Sequence, residues 1–322
     1  MRQSHSISDW LLVAAIGFVV FAAQPSHAAG LCTINIASYA CTTLAPAGVT
    51  RTRANGISNS GQVTGFYELL GTHAYTYAGS SFSPLPDPAG ASAVYAFGIN
   101  DSGQVVGYST QSGPTDKGFM RSGGAYTTLA APGATDTYAF GINGASQIAG
   151  FSVSAGTATG YVYSGGTFSS ITMPGATSTY AYGINNAGTV AGTYVSATGA
   201  IAGFTVQNGS FASISVPGAK ETYVRGLNGL GDLVGDYVSN IGKASGFVRL
   251  GSGEFWTFDI AGALNTYAKA INDARTIVGY SGDNSAYQGF IAMPVPVPLP
   301  AALPLLATAL LTVLRRRRLP PA

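Results

Sequence analysis

Three histidines occur in the 322 residues, and only His73 lies beyond the first 28. Serine- and cysteine-nucleophile chemistry needs a histidine beside a partner, and zinc catalysis takes several. A single histidine in the body therefore disfavours all three, and a conventional hydrolase is not expected. His73 itself opens the run His73-Ala74-Tyr75 and reads as a strand-lining residue.

Carboxylates are more numerous. Asp101, Asp116, Asp136, Asp232, Asp236, Asp259, Asp273 and Asp283 could converge around a common axis and hold a metal or exchange protons. Against that, Asp101 and Asp273 follow an asparagine in a recurring turn, where a carboxylate can accept backbone N–H groups and settle the bend. No D-x-D-x-D-G loop occurs, so no calcium site can be assigned, and no cofactor is expected. Tyr95, Tyr138, Tyr180, Tyr223 and Tyr267 recur at a fixed interval. They could form a ring of sugar-stacking platforms, where repetition would turn weak sites into avidity. Equally, they could pack between repeating units with their hydroxyls bonded at the rim.

What must position these residues is a repeat. Gly98-Ile99-Asn100-Asp101-Ser102-Gly103-Gln104-Val105-Val106-Gly107 has counterparts beginning at Ile57, Ile142, Ile184, Leu227 and Ile271, and these marker residues are 42, 43, 42, 43 and 44 residues apart. A second marker follows each, as in Gly118-Phe119, Gly160-Tyr161, Gly203-Phe204, Gly246-Phe247 and Gly289-Phe290. A third run, such as Tyr126-Thr127-Thr128-Leu129, leads into a turn such as Pro132-Gly133-Ala134. Short β-branched and aromatic runs bounded by Asn, Asp, Gly and Pro are strands joined by turns. Four strands in a period of about 43 residues are the pattern of a propeller blade. The last unit ends at Phe290-Ile291 without an outer strand, and Thr42-Thr43-Leu44 precedes the first marker as a matching one. The expectation is an all-β, six-bladed β-propeller-like ring over residues 29–292, closed by N- and C-terminal strands that remove the free edge. The periodic glycines lack the helix and the Lys-Ser/Thr of a phosphate loop, so they read as turn and close-packing positions.

Composition agrees with an exported β-protein. Charged residues make up 9% of the chain, with 44 Gly and 18 Tyr. Residues 1–28 combine Arg2, an apolar run from Trp10 to Ala23 and the small-residue site Ser26-His27-Ala28, which reads as a signal peptide cleaved before Ala29. In an oxidising compartment Cys32 and Cys41 could pair across a short loop, or stay as free thiols. The precursor's formal charge is +2. Arg2, Arg315, Arg316, Arg317 and Arg318 belong to the targeting ends together with Asp9, which leaves the body 10 basic and 12 acidic residues and no basic stripe. Nucleic acid is not an expected partner.

Residues 293–322 form a separate segment. An almost wholly apolar stretch at about 299–314 would reach roughly 24 Å as a transmembrane helix. The cluster Arg315, Arg316, Arg317 and Arg318 behind it favours the cytoplasmic side as a membrane stop. The motif Val297, Pro298, Leu299, Pro300, Ala301, followed by the apolar run and the arginines, resembles the PEP-CTERM sorting signal in its VPLPA form. That resemblance implies recognition by an exosortase-type sorting enzyme, a transient inner-membrane intermediate and delivery to the cell surface or extracellular space. The repeat resembles the HAF-type extracellular repeat, most closely around Gly98 to Tyr108, and that family implies export without an assigned activity. Together these point to a structural or glycan-binding component of an extracellular polysaccharide or biofilm matrix. A carboxylate-dependent propeller enzyme acting on that polysaccharide, and an adhesive coat protein with no small ligand, stand as alternatives.

Overall fold

The computed structural model of the protein describes residues 31–32, 39–111, 113, 115–283 and 285–295. The signal segment, the motif Val297 to Ala301, the apolar stretch and Arg315 to Arg318 lie outside the described residues. Among those described, no helix is long and apolar enough to cross a membrane.

The fold is an all-β, propeller-like ring. Consecutive strands pair antiparallel into four-stranded meanders, such as Asp136–Ile142, Ile148–Ser154, Thr157–Ser164 and Thr167–Ile171. Two more follow, from Ala176–Ile184 to Ser210–Ile214 and from Glu221–Leu227 to Phe255–Phe258. Two earlier meanders, Thr52–Ile57 to Ser81–Pro84 and Ala91–Ile99 to Ala125–Leu129, join in one eight-stranded sheet through a single parallel pair, Thr72 with Ala93. The remaining sheet is shared between the chain's ends. Asn265–Ile271, Ile277–Gly282 and Tyr287–Pro294 are completed by Tyr39–Leu44, in the register Thr42 to Ile291 and Leu44 to Gly289. Pairing the two ends inside one sheet ties the ring shut without a long unpaired edge. Cys41, on that closing strand, is disulfide-bonded, and the backbone ladder sets Cys32 opposite it.

The first strand of each meander is innermost, since successive first strands pack against one another around the axis, and Thr52–Ile57 also packs on Asn265–Ile271. Most of the buried core lies between sheets, because a sheet packed on both sides must cover both faces. Ala191 and Ile214 of one sheet meet Val224, Leu227, Leu233 and Phe247 of the next. The closing joint repeats this arrangement with Leu44, Ala54, Val63 and Val278.

Two glycine positions explain why the repeat is so strict. In the second strand, a Cβ on Gly192 would fall 2.0 Å from the Tyr180 carbonyl oxygen and 2.9 Å from the Phe204 ring that lies across it. The Gly-Phe marker is therefore an aromatic side chain seated on a bare cross-strand glycine. In the first strand, a Cβ on Gly56 or Gly98 would meet the neighbouring inner strand's carbonyl at 2.3 Å. Glycine there lets inner strands approach closely enough for a narrow ring.

Candidate functional site

Every inner strand carries a β-bulge just before its marker. The register shifts at Ala54/Gly56, Ala96/Gly98, Ala139/Gly141, Ala181/Gly183, Val224/Gly226 and Ala268/Ala270. The extra residue of a bulge is unpaired and its side chain is re-aimed. Here those residues are Asn55, Phe97, Phe140, Tyr182, Arg225 and Lys269, and with Phe151 they line one pocket at the ring axis. One side of it is aromatic: Phe97 and Phe140 lie 4.5 Å apart between ring centroids, and Phe140 meets Tyr182 at 5.0 Å. The other side is ionic. Arg225 Nε donates to Asp236 Oδ1 at 3.0 Å, and Lys269 Nζ lies 3.8 Å from the same oxygen. Asp236 is 3% exposed, so this carboxylate is buried against two cations. Burial works against the Arg225 charge, but Asp236 overrides it and holds the guanidinium above its ordinary value. Lys269 fares differently: burial and then the Arg225 charge bring its ammonium down to about 7.

Three residues further along, a ring of asparagines surrounds the axis, and Asn100, Asn143, Asn185 and Asn228 line a smaller pocket of about 90 Å³ there. Asn100 Nδ2 donates to Asn143 O, Asn143 to Asn185 O, Asn185 to Asn228 O, Asn228 to Asn272 O and Asn272 to Ser58 O, at 3.0–3.1 Å. Each Oδ1 also serves its own turn, as when Asn185 accepts from Ala187 N and Thr189 N. The asparagine, not the following aspartate, settles the bend. Asp101 instead accepts from Ser60 N at 3.0 Å, and Asp273 from Gly229 N at 2.6 Å, across to the adjacent unit.

The recurring tyrosines form part of an aromatic belt. Tyr95 stacks on Tyr108 at 4.6 Å, Tyr108 meets Tyr138 edge-on at 4.8 Å, Tyr138 contacts Phe151 and Phe151 contacts Tyr180. All five are half-buried. Tyr138 donates to Asp116 at 3.0 Å and Tyr223 to Glu221 at 2.7 Å, and burial plus these carboxylates raise both phenols. Arg53 occupies the equivalent position in the first unit and breaks the belt, its guanidinium lying 4.7 Å from the Tyr280 ring centroid and 4.5 Å from that of Tyr287. Beside it a cleft opens between the first and last sheets, lined by Arg51, Arg53, Asn265, Tyr267, Tyr280, Asp283 and Tyr287. Nε of Arg51 and Nε of Arg53 are buried with no hydrogen-bond partner among the described residues. Burial pushes the Tyr280 phenol up to about 12 and raises Tyr267 as well.

The other sequence candidates stay apart. His73 Nδ1 pairs with Asp87 at 3.2 Å on the surface. Asp232 is held by Arg275 at 2.8 Å, Asp259 by Lys243 at 2.7 Å, and Asp283 caps its own turn through Ser285 and Ala286. Among the described residues no group of three or more His, Cys, Asp or Glu side chains is arranged to hold a metal. The bulge residues were missed in the sequence, although they carry a signal: theirs is the position beside the strict marker that reads Asn, Phe, Phe, Tyr, Arg, Lys from unit to unit.

No family model and no curated protein matches this chain. Solved structures do resemble it. AofleA from Arthrobotrys oligospora superposes with a TM-score of 0.52 at 13% identity, covering 79% of this chain and 86% of its own. A gluconolactonase from Xanthomonas campestris does so with 0.53 at 11%, covering 85% and 99%. A lectin in complex with α-methyl fucoside reaches 0.50 at 10%, covering 78% and 98%. At such identities the likeness establishes the fold alone.

Proposed function

We propose that this chain is an exported surface protein whose ring, read as six blades with the last completed by Tyr39–Leu44, binds glycans of an extracellular polysaccharide layer without cleaving them. The observation that carries the reading is the cleft between the first and last sheets. Two guanidinium groups line it: Arg51, whose Nη1 pairs with Glu68 at 2.8 Å, and Arg53, which lies over the Tyr280 and Tyr287 rings, and the Nε of each has no acceptor among the described residues. Arginine beside tyrosine offers its outer N–H groups to sugar hydroxyls and apolar ring surface to a sugar C–H face, the pairing by which a glycan would be held. Asp283 adds an acceptor at the rim. The resemblance of the fold to a fucoside-bound lectin is compatible with this chemistry, and the signal segment, Val297 to Ala301 and Arg315 to Arg318 support delivery by an exosortase-type route.

The test is titration of the secreted protein with the producing cell's own polysaccharide and with α-methyl fucoside, alongside mass spectrometry of both termini. Binding should weaken by about tenfold in Tyr267→Ala and Asp283→Asn, the size of one lost stacking or charged hydrogen-bond contact. Release of shorter glycans during incubation, or binding that ignores both substitutions, overturns the reading.

A further inference from the structure

We propose that the axial pocket is a second binding site, selective for a carboxylate-bearing sugar of the uronic-acid class. The glycan-binding reading makes such a ligand available, but the argument rests on a different set of residues from the cleft. The pocket encloses a cavity of about 160 Å³, which restricts it to one compact ligand such as a single sugar ring. Its two walls differ in kind. Phe97, Phe140, Phe151 and Tyr182 present apolar ring surface, which suits the C–H face of a compact sugar. Facing them, Arg225 and Lys269 share one carboxylate, Asp236, so the pocket carries one positive charge more than it neutralises internally. Arg53, on the adjacent inner strand, adds to the positive field at Lys269.

The two cations are differently committed. Arg225 is held by two hydrogen bonds to Asp236, at 3.0 and 3.5 Å, and lies over Tyr182 and Tyr223. Lys269 sits at the longer 3.8 Å, with its side chain 16% exposed and its ammonium 5.5 Å and 5.1 Å from the ring centroids of Tyr267 and Tyr280. It is the group with bonding capacity to spare. An ammonium has three donors, and a ligand carboxylate arriving from the pocket gives it a second anionic partner. A neutral sugar would leave the excess charge unmet, and an aliphatic acid would leave the aromatic wall uncovered.

The charged and titratable groups around Lys269 are Asp236, Arg225, Arg53, Tyr267 and Tyr280. With the phenols neutral below pH 9, Lys269 is the member that changes charge near neutrality, so carboxylate binding must weaken as pH rises through about 7.

The experiment is calorimetric titration of the full secreted protein with glucuronate, glucose and benzoate. At pH 6 glucuronate should bind at least about tenfold more tightly than glucose, as expected for one charge-assisted contact. Raising the pH to 8.5 should cost glucuronate about tenfold and leave glucose unchanged. Lys269→Met should remove the preference, whereas Lys269→Arg should keep it and abolish the pH dependence. Asp283→Asn, in the cleft, should leave glucuronate binding intact, which separates this site from the one proposed above. Equal binding of glucuronate and glucose, a flat pH profile in the unmodified protein, or benzoate binding without glucuronate overturns the proposal. The unmodified protein's profile decides even if Lys269→Met fails to fold.

Discussion

Two positions, the bulge within each inner strand and the residue just past that strand's end, lie three residues apart and behave in opposite ways. At one, asparagine recurs in five units, and its amide links each sheet to the next. At the other, the bulge residue changes from Asn to Phe, Tyr, Arg and Lys, and its side chain faces an open pocket. The difference lies in what each side chain must satisfy. Asparagine bonds both to its own turn and to the next sheet's carbonyl, whereas the bulge residue is left out of the ladder and, Asn55 apart, its side chain turns to the pocket. Repetition marks what builds the ring, and variation marks where chemistry has room.

The sharpest way to break that contrast is to remove one asparagine and one bulge residue separately. Asn185 makes three hydrogen bonds, donating to Asn228 O and accepting from Ala187 N and Thr189 N. Asn185→Ala strands buried partners and should cost about 3 kcal/mol, at roughly 1 kcal/mol each. Phe97→Leu, losing ring contacts with Phe140 and Tyr108, should cost about 1 kcal/mol. Urea denaturation midpoints check both, and equal losses would erase the distinction.

At the asparagine end the turn was legible in the sequence because it is local and periodic, but the bend was read onto Asp101 and Asp273, and the Asn100 amide's bond to Asn143 O, 43 residues on, carries no local signal. Ile99-Asn100 and its counterparts announce the turn, the spacing announces the ring, and Thr42-Thr43-Leu44 announced the strand that pairs with Tyr287–Pro294. The axial pocket was not legible. Alternation along a strand assigns faces by a period of two, and a bulge breaks that count at the residue that matters. Nor does any local pattern bring Arg225, Asp236 and Lys269 together, since they lie on three different strands. The tyrosines Tyr95, Tyr138, Tyr180 and Tyr267 were visible as a period, and all four contact an aromatic neighbour, but only the fold shows that Tyr267, stacked on Tyr280, also borders a cleft.

The contrast sharpens further through pH. The Lys269 ammonium is brought down to about 7 by burial first and then by Arg225. A lysine whose folded value lies below its unfolded one weakens the fold fully at pH below about 7, and that penalty is relieved as pH rises towards 10.5, because the unfolded chain then holds the extra proton. Above about 10 the sign reverses, since buried phenols such as Tyr280, held up to about 12, ionise first in the unfolded chain. Stability should therefore climb between about pH 7 and 9.5. Lys269→Met should flatten that climb and stabilise the protein at pH 6 by about 1–2 kcal/mol, as replacing a buried charge often does. No such change should follow at the asparagine end, where nothing titrates in this range. A thermal melting series across pH checks the slope, and an unaltered slope in the variant would assign it elsewhere.

The smallest predicted effect tests the asparagine ring from the other direction. The sequence places Ser58 where every other unit has asparagine, so Ser58 accepts from Asn272 but sends no amide on to Asn100 O. Its hydroxyl still serves the turn, accepting from Gln62 N at 3.1 Å, as Asn100 accepts from Gln104 N at 3.0 Å. The joint between the first and second units is held elsewhere, by Asn55 Nδ2 donating to Ala96 O at 2.9 Å from the bulge position. The first unit has thus moved its inter-sheet amide three residues back along the strand, at the expense of a bulge residue that could otherwise face a ligand. Ser58→Asn would supply the missing link while keeping the turn contact, and should raise stability by about 1 kcal/mol, one net hydrogen bond. With that link in place, Asn55→Phe should become tolerable, because the joint no longer depends on it. If Ser58→Asn leaves the denaturation midpoint unmoved and does nothing to rescue Asn55→Phe, the amide ring follows from the packing of the sheets and does not help to hold them.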